Sequence, residues 1–496
     1  MNDILTDVLS EPFVLDYNGD MIMDFIVSTR TCKTYLWLGH NVTESEIVTA
    51  PYSNRKPSGI CLKNLTDDEF VFAKPHSSAF LNLEHYQKNM NTDIFLAGEK
   101  EIKYIYNVEE QGFSMKENIS YPKHKLRGQS AFMDFNYAGQ MTHLIPVCLE
   151  SKAGNFKDCR SIGLVAWHHD TRQWINVLDP EPANVSVNPN NRTLSFSEQS
   201  FFYNEITVPV ALRVGDLNYD GYPDFATILV DVQSGRTFAA IYLNMADNNT
   251  EALSNPFKRK FQLCWLSEGR YAESIAMVSL FDLYDNGRLV LLLTKFNQEQ
   301  GNTLQTVSYD YYIDHRLYYS FIRVTVITGR CTDKEGDQNV QCPKVRGKDQ
   351  VALGSNPHGP NVCFAGPYTT QHSCSAQLTQ SAHFALQLPY MIFGLGDILN
   401  VVSDLKVSIP NGAGKTRRRA WEEDIPGSKL VIVPYQLDQP ENWYKRVYIN
   451  MGIYSMFSLA FLCILCVFLI IAIYFLHCRE RKEDRKDHME YKKHWL

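Results

Sequence analysis

The stretch from Asp216, DLNYDGYPDFATILV, sets a tight acidic loop directly before an apolar strand, and a second strand, RTFAAIYLN, follows. A loop with two such strands cannot bury its own apolar faces, so one copy needs neighbours of the same kind. The chain supplies them. Asp16 opens DYNGDMIMDFIVS, followed by TYLWLG. Three more segments keep the shape with fewer acids. They are NLEHYQKNMNTDIFLAG with IKYIYNV from Asn82, DFNYAGQMTHLIPVCLE with SIGLVAW from Asp134, and DLYDNGRLVLLLTKF with TVSYDYYI from Asp282. The loop starts are separated by 66, 52, 82 and 66 residues. Units of that length with about four strands each predict the blades of an all-β propeller over 1–318, an architecture that leaves few sheet edges open.

Beyond 318 the pattern changes. FIRVTVITG, HFALQLPYMIFGLG, LKVSIP and KLVIVPYQL read as strands between Gly, Pro and Asn loops, which predicts a β-sandwich-like domain over 319–438. Residues 439–451 read as a stalk, with Trp443 and Tyr444 as interfacial anchors. Gly452 to Leu476 is a run of 25 residues without a charge, long enough to cross a bilayer as a helix. The tail 477–496 carries Arg479, Arg481, Lys482, Arg485, Lys486, Lys492 and Lys493, against Lys445 and Arg446 before the span. The bias of basic residues puts the tail in the cytosol and the large N-terminal part outside, a single-pass type I arrangement in the cell membrane. MNDILTDVLSEP has neither a basic n-region nor an apolar h-region, so an upstream leader is expected to be missing from this sequence.

Two residue patterns agree with an oxidising, glycosylating compartment. Asn41, Asn64, Asn118, Asn184, Asn191 and Asn248 each head an Asn-x-Ser/Thr triplet without Pro, all on one side of the span. Nine of the 12 cysteines precede the span. Cys148 and Cys159, Cys331 and Cys342, and Cys363 and Cys374 are pairs eleven apart, and Cys32 with Cys61 makes a fourth candidate disulfide. Cys264 is the odd one, expected as a thiol in the strand-like QLCWLS. The formal net charge is −7, with no basic excess to neutralise a nucleic acid.

The acidic loops carry the chemistry. Asp216, Asn218, Asp220 and Asp224 stand at positions 1, 3, 5 and 9 of DxNxDGxxD, with Gly221 at the turn and the Tyr222 carbonyl at position 7. Calcium takes six to eight oxygens, and alternate side chains of a winding loop converge on such an ion. The other reading is an Asx-rich turn that binds nothing. Asp16, Asn18, Asp20 and Asp24 repeat the spacing, with Gly19 at position 4 and Met21 where glycine usually stands. The Asp134 and Asp282 loops have Ala138, Thr142, Tyr284 and Val290 at ligand positions, so they are expected to keep the turn without the ion. NGAGKT at 411–416 lacks the first glycine of a phosphate loop and reads as a hairpin connection. Arg417 to Arg419 reads as an exposed charged turn, and His168-His169 has no third metal ligand nearby. No serine-hydrolase, zincin or catalytic-cysteine motif occurs, so no enzyme is expected.

The DxNxDGxxD loops with flanking strands resemble the FG-GAP repeats of integrin α-chain propellers. SAQLTQSAHFALQLPYMIFGLG, LKVSIP, AWEEDIPGSKLVIVPY, one span and a charged tail resemble the T-cell immunomodulatory protein (Linkin) family across essentially the whole chain. That resemblance implies a seven-bladed propeller, of which five blades are visible here, on a type I membrane glycoprotein. It also implies roles in T-cell modulation and cell–cell adhesion, with RuvB-like ATPases and tubulin as intracellular partners. The expected molecule is a calcium-braced recognition surface for an extracellular or cell-surface protein ligand. The alternative is a secretory-pathway membrane scaffold or chaperone-like protein without such a ligand.

Overall fold

The computed structural model describes residues 8–39, 59–63, 65–66, 70–83, 90–151, 154–183, 187–188, 190–201, 206–247, 255–268, 275–297, 303–311, 320–328, 344–345, 348–349, 354–365, 372–378, 388–396, 401–412, 417–434, 436–449 and 453–494. Among the described residues strand follows strand, with short 3-10 turns at Phe156–Asp158 and Pro440–Asn442, until a C-terminal helix. The first sheet is β1 (Phe13–Leu15), β2 (Asp24–Val27), β3 (Tyr35–Trp37) and β4 (Gly59–Cys61), paired in chain order. The second is β5 (Ala79–Leu81), β6 (Asp93–Ala97), β7 (Glu101–Val108) and β8 (Gly112–Ser120). The third is β9 (Ala131–Met133), β10 (Thr142–Ser151), β11 (Cys159–His168) and β12 (Gln173–Asn176). In the fourth, β13 (Leu194–Phe196) and β16 (Arg213–Gly215) both pair with β17 (Asp224–Asp231), followed by β18 (Thr237–Ala246) and β19 (Arg259–Leu266). The small hairpin β14 (Gln199–Phe201) and β15 (Ile206–Val208) interrupts that first position. The fifth is β20 (Ile275–Phe281), β21 (Val290–Asn297) and β22 (Thr303–Tyr309). Every pairing in these five sheets is antiparallel.

The five sheets stack on one another in chain order, and the sequence shows why. Central strands such as β6 (DIFLA) and β10 (THLIPVCLES) are apolar at successive positions, so both faces need cover. Ile94 and Leu96 enter a core shared with the first sheet, while Phe95 and Ala97 enter one shared with the third. Ile145 faces the second sheet and Leu144 faces the fourth. Ala226 and Ile241 face the fifth sheet, and Phe225 and Tyr242 the third. Side chains of period 2 thus divide between two neighbours.

After these come β23 (Ser320–Val326), the short pair β24 (Lys344–Val345) and β25 (Lys348–Asp349), then β26 (Asn361–Ala365), β27 (His372–Ala376), β28 (Met391–Gly396), β29 (Val402–Ser408), β30 (Arg418–Asp424), β31 (Ser428–Val433) and β32 (Tyr444–Ile449). Two four-stranded sheets, β28-β23-β31-β32 and β27-β26-β29-β30, close over one core that includes Val324, Phe364, Phe393, Val407 and Leu430. This is a β-sandwich. β23 and β31 are parallel; β23–β28, β26–β27, β26–β29 and β29–β30 are antiparallel.

The expected stalk is corrected here. Tyr444–Ile449 is the outer strand of a sandwich sheet, and Trp443 is 1% exposed in the sandwich core. Arg419 donates to the Trp443 carbonyl, and the Trp443 indole N–H donates to the Gln436 carbonyl at 3.3 Å. An indole beside a membrane span fits an interfacial anchor by sequence, but here its ring fills an interior space. A separate unit holds α1 (Ile453–His494), the one described helix long and apolar enough to cross a membrane.

Trp443→Ala tests that correction. Removing a buried indole should lower the unfolding free energy of the β-body by about 3–5 kcal/mol in denaturant titrations; an exposed anchor would leave it unchanged.

Candidate functional site

The acidic loops join the first strand of a sheet to the second, and four share one winding. Positions 4 and 6 lie in the left-handed region in each: Gly19 and Met21, Tyr137 and Gly139, Tyr219 and Gly221, Asp285 and Gly287. Position 1 secures the turn. Asp16 accepts from the amides of Asp20 and Met21, Asp134 from Ala138 and Gly139, and Asp282 from Asn286 and Gly287. The Asp216 carboxylate accepts from the Gly221 amide at 2.9 Å. The Asp134 and Asp282 loops therefore keep the turn after losing acids, as their sequences lead one to expect.

The closing aspartate braces strand ends. Asp24 accepts from Tyr17 and Gly39, Asp224 from Leu217 and Asn244, and Asp93 from Leu83 and Asn107, all backbone amides at 2.7–2.9 Å. Asp93 does this in the eroded Asn82 segment, where sequence alone gave it no role.

The Asp216 loop, like the Asp16 loop, carries three aspartates. Asp220 accepts from the Tyr222 amide and from the Asn218 side chain, both at 2.9 Å. Burial pushes Asp216, Asp220 and Asp224 above the usual carboxylate range, and mutual repulsion adds to it at Asp216 and Asp224. Arg259 opposes this at Asp220. Its guanidinium lies 3.4 Å from the Tyr222 ring centroid and donates to Asn244 Oδ1 at 2.9 Å. Among the described residues no three His, Cys, Asp or Glu side chains stand together in a group that could hold a metal ion. One oxygen of that loop, Asp216 Oδ1, is buried and has no hydrogen-bond partner, an orphaned acceptor of the kind a hard cation takes. In the Asp16 loop each carboxylate oxygen of Asp16 and Asp24 accepts an amide, and burial lifts Asp16 to about 7.

All five loops meet the sandwich, a destination that sequence reasoning missed. Arg417 donates to the Gly19 carbonyl, and the Asn82 amide donates to Asn361 Oδ1 at 3.1 Å. A Cβ on Gly412 would stand 2.6 Å from Asn18 Cα, so the glycine of NGAGKT serves close backbone approach in the β29–β30 hairpin. Residues 413–416 of that segment lie outside the described residues. Asp134 accepts from the Cys374 amide on β27 at 3.0 Å, and Asp216 from the Gly394 amide on β28 at 3.1 Å. Both strands are sheet edges. In the Asp282 loop Arg323 reaches Asp282 Oδ2 at 2.6 Å and Asp285 Oδ1 at 2.8 Å, and Lys429 reaches Asp285 at 2.6 Å. Met21 enters the sandwich core, and Tyr137 packs against it. Arg417, expected as an exposed turn, is instead paired with Asp438 at 2.8 Å.

The other candidate residues fall as follows. Cys32–Cys61, Cys148–Cys159 and Cys363–Cys374 are disulfides; Cys331 and Cys342 lie outside the described residues. Cys264 is a thiol on β19. Asn118 on β8 and Asn191 in a turn are exposed, while Asn41, Asn64, Asn184 and Asn248 lie outside the described residues.

Comparisons with known proteins now bear on this architecture. A family model described as "ITFG1, C2 domain" matches residues 352–448, most of the sandwich. The T-cell immunomodulatory protein of Macaca fascicularis is 31% identical over 253 residues, covering 49% of this chain and 76% of that protein. The chain belongs to the T-cell immunomodulatory protein family. The T-cell immunomodulatory protein of Rattus norvegicus is 29% identical over 457 residues, covering 88% of this chain. The protein linkin of Caenorhabditis elegans is 25% identical over 511 residues, covering 90% of this chain and 78% of its own. The chain spans 66% of the length of the rat T-cell immunomodulatory protein.

Asp134 supplies a pH test. Burial lifts its carboxyl to about 7, against the donated amides of Cys374, Ala138 and Gly139. A folded value above the unfolded 3.8 means that the folded state holds the proton more tightly, so this contribution to stability is present below pH 4 and is lost as pH rises to 7. Asp134→Asn cannot ionise. Its melting temperature relative to the parent, in chelator, should therefore improve steadily from pH 4 to pH 7; a constant difference would contradict the assignment.

Proposed function

We propose that this chain is a single-pass type I cell-surface glycoprotein that recognises another protein through its repeated β-region. The observation that carries the reading is the set of three disulfides in a β-body that is followed in the sequence by an apolar helix. Disulfides form and persist outside the reducing cytosol. The basic tail after the helix favours the same orientation, and exposed sequons at Asn118 and Asn191 favour glycosylation.

The stacking of successive sheets supports a propeller built of FG-GAP-type blades, with the acidic loops gathered toward the sandwich. In this reading calcium held by Asp216, Asn218, Asp220, Asp224 and the Tyr222 carbonyl rigidifies the repeated region and takes part in no reaction. The Asp16, Asn18, Asp20 and Asp24 loop is a second, weaker candidate. The face away from the sandwich is left to bind a protein ligand, in keeping with relatives named for T-cell immunomodulation and with a role in adhesion. RuvB-like ATPases and tubulin are the proposed intracellular partners of the tail, by family resemblance alone.

The test is enzymatic deglycosylation of the full chain expressed behind a cleavable signal peptide. The expected result is a mobility shift that loses one step in Asn118→Gln and one in Asn191→Gln, with the β-body protected from protease in intact microsomes. No shift, together with a protease-accessible β-body, would overturn the orientation.

A further inference from the structure

The β23–β28 pair of the sandwich is gripped by two neighbouring acidic loops whose chemistry differs. β28 is the edge of its sheet, so its outward amides need acceptors. Near its end the strand is irregular, with Gly394 opposite Phe321 and Gly396 opposite Ser320. There the Gly394 amide donates to Asp216 Oδ2 at 3.1 Å, and the Gly396 amide donates to the Tyr219 carbonyl at 2.8 Å. A Cβ on Gly394 would lie 2.1 Å from Asp216 Oδ2 and 2.5 Å from Tyr219 Cα, so only glycine permits this approach.

The second grip is linked to the first. Tyr219, buried in the Asp216 loop, donates its hydroxyl hydrogen to the Gly287 carbonyl at 3.0 Å in the Asp282 loop. That loop has Tyr284, Asn286 and Val290 at positions 3, 5 and 9, and a protein cation reaches it: Arg323 of β23 bonds both Asp282 and Asp285. In the Asp216 loop, by contrast, the position-1 carboxylate keeps a buried oxygen without a partner.

We propose that the Asp216 loop is a calcium-set latch for the sandwich, in which the carboxylate that takes the ion through Oδ1 holds the edge of β28 through Oδ2, while Arg323 holds β23 independently of calcium. The proposal rests on the calcium reading of this loop. Without a cation, three crowded carboxylates repel one another, the loop loosens, and the acceptors of Gly394 and Gly396 lose their positions. With the ion they are fixed. Because coupling is reciprocal, disturbing the β28 contact must weaken calcium binding by the same factor by which calcium strengthens the contact.

Amide hydrogen exchange of the full chain in detergent micelles reads this directly, with calcium or with chelator, alongside a calorimetric calcium titration of the same sample. Exchange in the segment Met391–Gly396 should be about 5-fold or more slower with calcium, within the usual range of coupling. The Gly427 amide, bonded to the Phe321 carbonyl at 2.7 Å on the Arg323 side, should not change. Asp220→Ala should abolish the difference, and Gly394→Ala should weaken calcium binding by a matching factor. If calcium binds and Met391–Gly396 exchanges equally in both conditions, the latch is wrong and the calcium reading stands. If calcium does not bind, both are wrong. The decisive arms use the unaltered chain, so misfolding of Gly394→Ala leaves the test intact.

Discussion

The arrangement of the β-body depends on carboxylates that cap the open edges of a sandwich. Asp134 takes an amide of β27 and Asp216 an amide of β28, so an edge strand of each sandwich sheet meets a loop of the repeated region. An uncovered edge would present unpaired amides to any passing strand. The same carboxylates fix their own loops by accepting amides at positions 5 and 6, or at position 6 in the Asp216 loop. One side chain thus couples local turn geometry to tertiary docking.

This dual use explains residue choices that look odd one at a time. Met21 adopts a left-handed backbone that glycine would reach more easily, and its side chain is buried in the sandwich core. Tyr219 also has a left-handed backbone and is buried, and its hydroxyl links two loops. Behind the loops, successive sheets are apolar on both faces, and their stacking gives the loops a common rigid base. A cavity of about 70 Å³ remains between the Asp134 and Asp216 loops and the two sandwich edges.

Local regularity made part of this legible. Alternate oxygen-bearing side chains at positions 1, 3, 5 and 9, and cysteines eleven apart across short connections, are patterns within one turn or hairpin. The strands around them carry continuous apolar runs, which announce cover on both faces. What was hidden is long-range. Asp282 and Arg323 are 41 residues apart, and Asp216 and Gly394 are 178 apart. In SFIRVTV, Arg323 reads as an ordinary outward residue of an alternating strand. The glycines of FGLG permit close backbone approach, but nothing near them in the sequence names the Asp216 loop as what approaches. Trp443 was misread because the pairing of the last strand decides its burial, and adjacency to a span suggests the opposite.

The most direct measurement of the central claim is a double-mutant cycle across the loop–sandwich contact that needs no metal. Asp282 is wholly buried at its side chain and Arg323 largely so. Asp282→Asn, Arg323→Gln and the double variant, unfolded in urea as full chains in detergent micelles, should give a coupling energy of about 1–3 kcal/mol. Effects that add to within about 0.5 kcal/mol would mean that these side chains do not act together, and that the loops do not hold the sandwich by their carboxylates.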